Sequence, residues 1–188
     1  MTVPFSGAVL CGGRSSRMGS DKALLEVGGT PMARRVADAL AGAGAGDVFA
    51  VGGDLPGLRA LGLVAHPDAL PGDGPLPATL TALEHAAAAV ALVVSCDLLA
   101  PDAEAMAATV SALVEAPGAL VAVPVDDEGE HQWTHAAWRS AAGPVLRAAW
   151  EAGARSLKRA AADVERVEVR GLPAEALRDA DSPGDLPG

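Results

Sequence analysis

Arg14, Arg17 and Lys22 place three cations in one short stretch of a chain whose 14 Lys and Arg are outnumbered by 24 Asp and Glu. Gly12 and Gly13 open that stretch, and the apolar run from Phe5 to Leu10 precedes it, so the segment sits where a buried strand empties into a loop. Glycines let backbone N–H groups approach an anion closely and tolerate a positive φ where the loop must curl. A cationic island in an acidic protein suits an anionic ligand, and its place after a strand favours phosphate binding over a merely solvated turn. The loop is not a Walker A motif, because no Gly-Lys-Ser/Thr follows at the required spacing, and it is not Gly-x-Gly-x-x-Gly.

A second chemical group stands in Val93-Val94-Ser95-Cys96-Asp97, where an apolar strand ends in a carboxylate. Asp97 can hold Mg²⁺, a hard cation that takes one or two carboxylates together with phosphate oxygens and water, or it can cap the following turn. The residue types alone leave both readings open. The same holds for Asp181, in Asp179-Ala180-Asp181-Ser182-Pro183, which also suits an Asp-Ser-Pro turn before a short terminal helix. Between these carboxylates, His66-Pro67-Asp68 through Gly74-Pro75 is dense in Gly and Pro and predicts a rigid exposed loop before a helix, with Asp73 in a turn role. His131, Trp133, His135 and Trp138 crowd one short segment, where strand alternation would put all of them on one face. Trp138 also reads as a core residue, and the histidines as surface ones.

The segment Leu10-Cys11-Gly12-Gly13-Arg14-Ser15-Ser16-Arg17-Met18-Gly19-Ser20-Asp21-Lys22 resembles the signature Leu-x-Gly-Gly-x-x-x-Arg-Met-Gly-x-Asp-Lys of the nucleotidyltransferases that include the molybdenum cofactor guanylyltransferases. Cys11 stands where that family usually has Ala, a small-for-small change tolerated if only the backbone meets the nucleotide. The end of the chain, Asp179 to Leu186, is similar to the family's closing motif Asn-x-Asn/Asp-Thr-Pro-x-Asp-Leu. The resemblance implies that Leu10, Cys11, Gly12, Gly13, Lys22, Asp68 and Asp97 bind nucleotide, and that Arg17, Lys22 and Asp97 are catalytic. It further implies that Asp97 and Asp181 hold the metal. Gly153-Ala154-Arg155 resembles a family segment in which Gly and Arg precede a helix, which makes Arg155 a candidate for an acceptor phosphate; the family's Pro is replaced by Trp133. Gly52 and Gly53 are second-tier candidates for lining the base pocket through their backbone.

These groups need a scaffold, and the chain alternates extended and helical runs: strands at Ala8 to Leu10, Val48 to Val51, Ala91 to Ser95 and Leu120 to Pro124, with helices at Pro31 to Leu40, Pro77 to Ala88 and Asp102 to Glu115. After Val125 the pattern loosens into the solvated turn 126–130, a strand that changes direction at Gln132 to Trp138, helices at Gly143 to Ala152 and near Ser156 to Ala162, and a strand at Val167 to Val169. This is the grammar of an α/β fold, a three-layer Rossmann-like arrangement with a mostly parallel sheet and helices on both faces. In such sheets ligands sit beyond the carboxyl ends of the strands, so the loops at Gly12, Gly52, Asp68 and Asp97 should converge. No repeat or linker divides the 188 residues, which read as one nucleotidyltransferase domain with a nucleotide-binding part in 1–100 and an acceptor-binding part in 101–188.

Composition narrows the partners. A net charge of −10 argues against nucleic acid and anionic membrane surfaces. The longest apolar stretch, Ala86 to Val94, falls far short of the roughly 20 residues a membrane span needs. No basic patch precedes an apolar core at the amino terminus, so no signal peptide is expected. Cys11 and Cys96 form neither a zinc set nor a disulfide framework, and reduced thiols in the cytoplasm are expected.

The resemblance implies Mg²⁺ as cofactor and transfer of GMP from GTP to the terminal phosphate of molybdopterin, with release of pyrophosphate. It also implies transient contacts with molybdenum-cofactor-handling proteins, and a monomer is expected. CTP in place of GTP, a sugar phosphate as acceptor, and a non-catalytic nucleotide-binding domain are the alternatives; intact Lys22, Asp97 and Asp181 weigh against the last. Base choice rests on a few pocket contacts that spacing does not reveal.

Overall fold

The structure is a computed structural model that describes residues 3–12 and 21–180. Gly13, Arg14, Arg17 and Asp181, four of the residues singled out above, lie outside the described residues.

Nine strands and six helices follow one another as β1 (Ser6–Leu10), β2 (Glu26–Val27), β3 (Thr30–Pro31), α1 (Met32–Gly42), β4 (Asp47–Val51), α2 (Leu55–Ala60), β5 (Val64–His66), α3 (Pro75–His85), β6 (Val90–Ser95), α4 (Ala103–Glu115), β7 (Val121–Pro124), β8 (His135–Arg139), α5 (Gly143–Glu151), α6 (Leu157–Ala160) and β9 (Arg166–Val169) among the described residues. Seven strands form the central sheet in the order β5-β4-β1-β6-β8-β7-β9. β1 pairs in parallel with both β4 and β6, and β4 with β5. β8 alone runs the other way, antiparallel to β6 and β7, while β7 and β9 are again parallel. The expected direction change is therefore real, and it brings the amino end of β8 to the same rim of the sheet as the carboxyl ends of β1, β4, β5 and β6.

Burial on both faces explains the continuous apolar runs of the central strands. Every residue of β1, and Val90 to Val94 of β6, is buried. Alternate residues feed two cores. Val9, Leu92 and Val94 meet Val36 and Leu40 of α1, Leu58 of α2, and Met106 and Leu113 of α4. Ala8, Leu10, Ala91 and Val93 meet Leu76 and Leu80 of α3, Leu146 of α5 and Leu157 of α6. Gly7 has a specific packing reason, since a Cβ there would fall 3.0 Å from the Leu40 side chain.

Helix starts follow local chemistry. Asp102 is not the first helical residue but the cap of α4, accepting from Glu104 N at 2.8 Å and Ala105 N at 3.0 Å. α3 begins at Pro75, two residues before the expected Pro77, because Gly74 at φ 88° turns the chain directly into Pro75 at the first helical position. α2 and β5 were not anticipated. α2 carries Pro56 and Gly57 within six residues, and β5 is a three-residue edge strand. Both are too short, and α2 too rich in helix-breaking residues, for periodicity to register.

One placement is corrected. The four aromatic residues from His131 to Trp138 do not share a face, because only His135 and Trp138 lie in β8 and their spacing is odd. Trp138 is fully buried in the core on the α3, α5 and α6 side, whereas His135 opens toward Met106 and Thr109 of α4.

Candidate active site

The loops after β1, β4 and β5 meet at near-contact distance. Cys11 N donates to Val51 O at 2.8 Å, and Gly52 N donates to His66 O at 2.9 Å, so each strand hands its last carbonyl to the neighbouring loop. Gly52 has φ 76°, and a Cβ on it would lie 2.9 Å from Gly12 Cα and 3.0 Å from Gly12 N. No side chain fits at that approach. Gly53, at φ 74°, is equally restricted: a Cβ there would sit 2.9 Å from an Asp21 carboxylate oxygen and 3.0 Å from Cys11 O. Both second-tier glycines thus belong to the loop cluster.

Asp68 lies against Gly12 and is only 8% exposed, its Oδ1 accepting from Leu70 N at 3.1 Å in an Asx turn. A carboxylate held beside these glycines is an acceptor for ligand N–H or hydroxyl groups. Leu10, Cys11, Gly12 and Asp68 are thereby brought together. Asp73 lies in the turn before α3, with its N–H donating to Leu70 O at 3.3 Å.

The second focus lies at the end of β6. Lys22 Nζ donates to Asp97 Oδ2 at 2.8 Å, with the two side chains 17% and 22% exposed, and also to the carbonyl of Ala180. An ammonium has three donors, so one N–H beyond these two described partners can meet a phosphate. Ser95 donates its hydroxyl to Asp97 Oδ1, fixing the carboxylate plane. The segment before Asp181 is laid along Asp97 by backbone bonds: Ala180 N to Asp97 O at 2.9 Å, Leu99 N to Arg178 O at 2.9 Å, and a bridge between Leu98 and Asp179. Asp97 is joined to the glycine cluster through its strand, since Cys96 N donates to Leu10 O at 3.0 Å.

Asp21, directly before Lys22, has a structural role that the motif alone does not assign. Its Oδ1 accepts from Ala23 N at 3.0 Å, capping the 3-10 turn that begins at Lys22, and its Oδ2 accepts from Asp54 N in the loop after β4. One carboxylate therefore sets both the start of the Lys22 turn and the position of the Gly52–Gly53 loop. An Asp directly before a short helical turn was the available signal. Ser95 carried no comparable signal, because its role depends on the fold of the 95–97 turn.

The β1–β6 register sets Leu10 opposite Ser95, which puts Cys11 and Cys96 side by side as free, buried thiols. The neighbouring Cys96 thiol and burial push the Cys11 thiol up, so Cys11 stays protonated. Arg155 is directed elsewhere: its guanidinium stacks 4.1 Å over the Trp150 ring and donates to Trp150 O at 3.0 Å and Ala154 O at 2.8 Å. Its backbone borders Gly74, at the edge of the Asp68 loop.

Magnesium has a plausible donor set here. Asp97 offers a hard, partly exposed carboxylate next to a lysine and a glycine-lined loop, which suits a cation that draws most of its ligands from phosphates and water. Among the described residues there is no group of three or more His, Cys, Asp or Glu that could form an all-protein cage.

A seven-stranded, mostly parallel sheet with helices on both faces is the fold of the nucleotidyltransferases. The chain belongs to the MobA-like NTP transferase domain family, whose model matches residues 7–167. A probable molybdenum cofactor guanylyltransferase from Deinococcus radiodurans is 32% identical over 185 residues, 98% of this chain and 93% of that protein. One from Pelotomaculum thermopropionicum is 50% identical over 93 residues, so the match spans about half of each protein, 50% of this chain and 45% of the relative. Among solved structures, molybdopterin-guanine dinucleotide biosynthesis protein A from Archaeoglobus fulgidus superposes with a TM-score of 0.74 at 20% identity, covering 96% of this chain and 94% of that one. The 2-C-methyl-D-erythritol 4-phosphate cytidylyltransferase of Thermus thermophilus gives 0.71 at 20% identity over 99% and 96%. At those identities the two structures speak for the fold alone.

Proposed function

We propose that the protein transfers GMP from GTP to the terminal phosphate of molybdopterin, releasing pyrophosphate. The observation that carries this reading is the Lys22–Asp97 pair set at the rim where the Gly12, Gly52 and Asp68 loops meet. The relatives named molybdenum cofactor guanylyltransferase support the choice of base and acceptor.

In this reading a phosphate oxygen of the acceptor attacks the α-phosphorus of GTP in line, the bond from that phosphorus to the bridging oxygen breaks, and pyrophosphate leaves. The attacking phosphate is already ionised at neutral pH, so no general base is required. The backbone at Gly12 and Gly13 holds the triphosphate, Asp68 contacts the nucleoside, and Lys22 and Arg17 stabilise charge on the equatorial and leaving oxygens. Asp97 and Asp181 would hold Mg²⁺, which when bound neutralises charge on the phosphates. Arg155 would reach an acceptor phosphate only by leaving Trp150. A cytoplasmic, monomeric protein that hands its product to other molybdenum-cofactor-handling proteins completes the proposal. The reduced thiols fit a reducing compartment, and among the described residues no helix is long and apolar enough to cross a membrane.

The test is incubation of the purified protein with molybdopterin, Mg²⁺ and each of GTP, CTP, ATP and UTP in turn, following pyrophosphate and the dinucleotide. Product with GTP alone is expected. Product with CTP alone would keep the chemistry and refute the base assignment, and absence of product with all four would refute the function.

A further inference from the structure

His135 is the first residue of β8, faces Val94 across the β6–β8 ladder and is 4% exposed. Its Nε2 lies 3.0 Å from Asp179 Oδ1, so Nε2 carries the hydrogen and the carboxylate accepts. Its Nδ1 is buried without a partner among the described residues, beside a small cavity lined by Leu98, Met106, Thr109 and Leu177. A leucine of similar size would fill this apolar site and leave no polar atom unsatisfied. Packing therefore gives no reason for an imidazole here, and the hydrogen bond to Asp179 does.

That bond acts on the segment that leads into Asp181. The backbone ladder holding 178–180 to 97–99 is short, and a short antiparallel ladder defines its register weakly. Two side chains pin it: Lys22 on the Ala180 carbonyl and His135 on the Asp179 carboxylate. We propose that His135 is a positioning residue which, through Asp179, sets the register of the closing segment so that the Ala180 backbone meets both Lys22 and Asp97. An Asn at this position would offer the same acceptor through its amide oxygen. This inference rests on the reading of Lys22 and Asp97 as the pair that meets the triphosphate and its metal.

The experiment compares His135→Ala, Asp179→Ala and Asp179→Asn with the parent protein in two assays. One is kcat and KM for GTP; the other is Mn²⁺ affinity in the presence of GTP, read from water-proton relaxation, which needs no turnover. Loss of an outer partner to metal ligands weakens metal binding by about 10–100-fold, so both alanine variants should show a drop of that order in Mn²⁺ affinity. They should also show reduced kcat with little change in KM for GTP. Asp179→Asn should restore most of both, and the double alanine variant should be no worse than either single one. Parent-like kcat and Mn²⁺ affinity in Asp179→Ala would overturn the proposal, as would an Asp179→Asn variant no better than Asp179→Ala. Should His135→Ala fail to fold, the half-exposed Asp179 variants decide alone. Should the parent form no dinucleotide, the functional reading fails and the Mn²⁺ measurement still decides this one.

Discussion

The two flanks of β6 are built on opposite plans. On one side β1, β4 and β5 run parallel to it or to each other, and their loops meet backbone to backbone at Gly12, Gly52 and Gly53, where added atoms have nowhere to go. On the other side β8 is antiparallel, its amino end reaches the same rim, and what it contributes there is side chains: His135 held to Asp179, and Trp138 filling the core beneath. The glycine-lined flank is thus sensitive to atoms gained and the other flank to atoms lost. Lys22 and Asp97 stand at the seam, one from the loop after β1 and one from the end of β6.

Substitution at the seam should have the largest effect on function. Lys22→Ala or Asp97→Ala should lower dinucleotide formation by about 10²–10³-fold, the usual cost of removing one group that stabilises developing charge. The far-ultraviolet circular dichroism spectrum should be unchanged, because the pair is partly exposed and lies outside both cores. Turnover within a factor of three of the parent in either variant would remove that residue from the mechanism. Trp138→Ala tests the flank sensitive to loss. It should cost about 3–5 kcal/mol of stability in urea unfolding, as expected for a fully buried aromatic residue. Trp138→Phe should cost far less, because the Trp138 Nε1 is itself buried without a partner among the described residues and its removal relieves that burden. Equal losses in the two variants would mean that the indole N–H has an acceptor after all.

Gly52→Ala tests the other flank with a single added methyl group. Its positive φ and the 2.9 Å approach to Gly12 Cα should together cost roughly 1–3 kcal/mol, and because the clash is with the Gly12 backbone proposed to hold the triphosphate, GTP affinity should fall as well. Gly28→Ala is the control: it has a positive φ but open space around the Cβ, so it should lose stability without losing GTP affinity. A parallel response in the two variants would reduce the Gly52 effect to backbone strain and remove the argument for close approach.

The contrast between the flanks also explains what could be read from the sequence. The parallel elements were legible because buried strands read as unbroken apolar runs, and because a loop that grips phosphate must show its glycines and cations openly. Asp97 was legible as a carboxylate ending such a run. The roles of Asp21 in the loop after β4 and of His135 were not, because each reaches a group distant in sequence, 33 residues away for Asp21 to Asp54 and 44 for His135 to Asp179, while Ser95 reaches Asp97 only two residues on, through a turn that the fold defines. The single face assigned to the 131–138 cluster failed because strand alternation was extended beyond the strand, which begins only at His135. The α2–β5 unit went unseen because its six-residue helix and three-residue strand are defined by docking rather than by their own periodicity.

The smallest expected effect comes from the edge of the parallel flank and follows from pH. His66, at the end of β5 and two residues before Asp68, stacks on His85 of α3 with ring centroids 3.7 Å apart and planes 14° from parallel. Burial, then the His85 and Arg59 charges, hold its imidazole below the ordinary value. The native state therefore favours the neutral ring, while the unfolded chain takes up a proton at higher pH. Stability from this source is fully present above the ordinary imidazole value of 6.5 and is lost as pH falls through 6.5 toward the native value. Because His66 closes the strand that leads into the Asp68 loop, the same acidification should loosen that loop first. His85→Asn removes one of the three causes but leaves burial and Arg59, so its urea midpoint should decline less steeply than the parent's between pH 7 and 5.5. Identical slopes would leave burial and Arg59 as the whole origin of the shift and make the stacked pair a packing contact without electrostatic consequence.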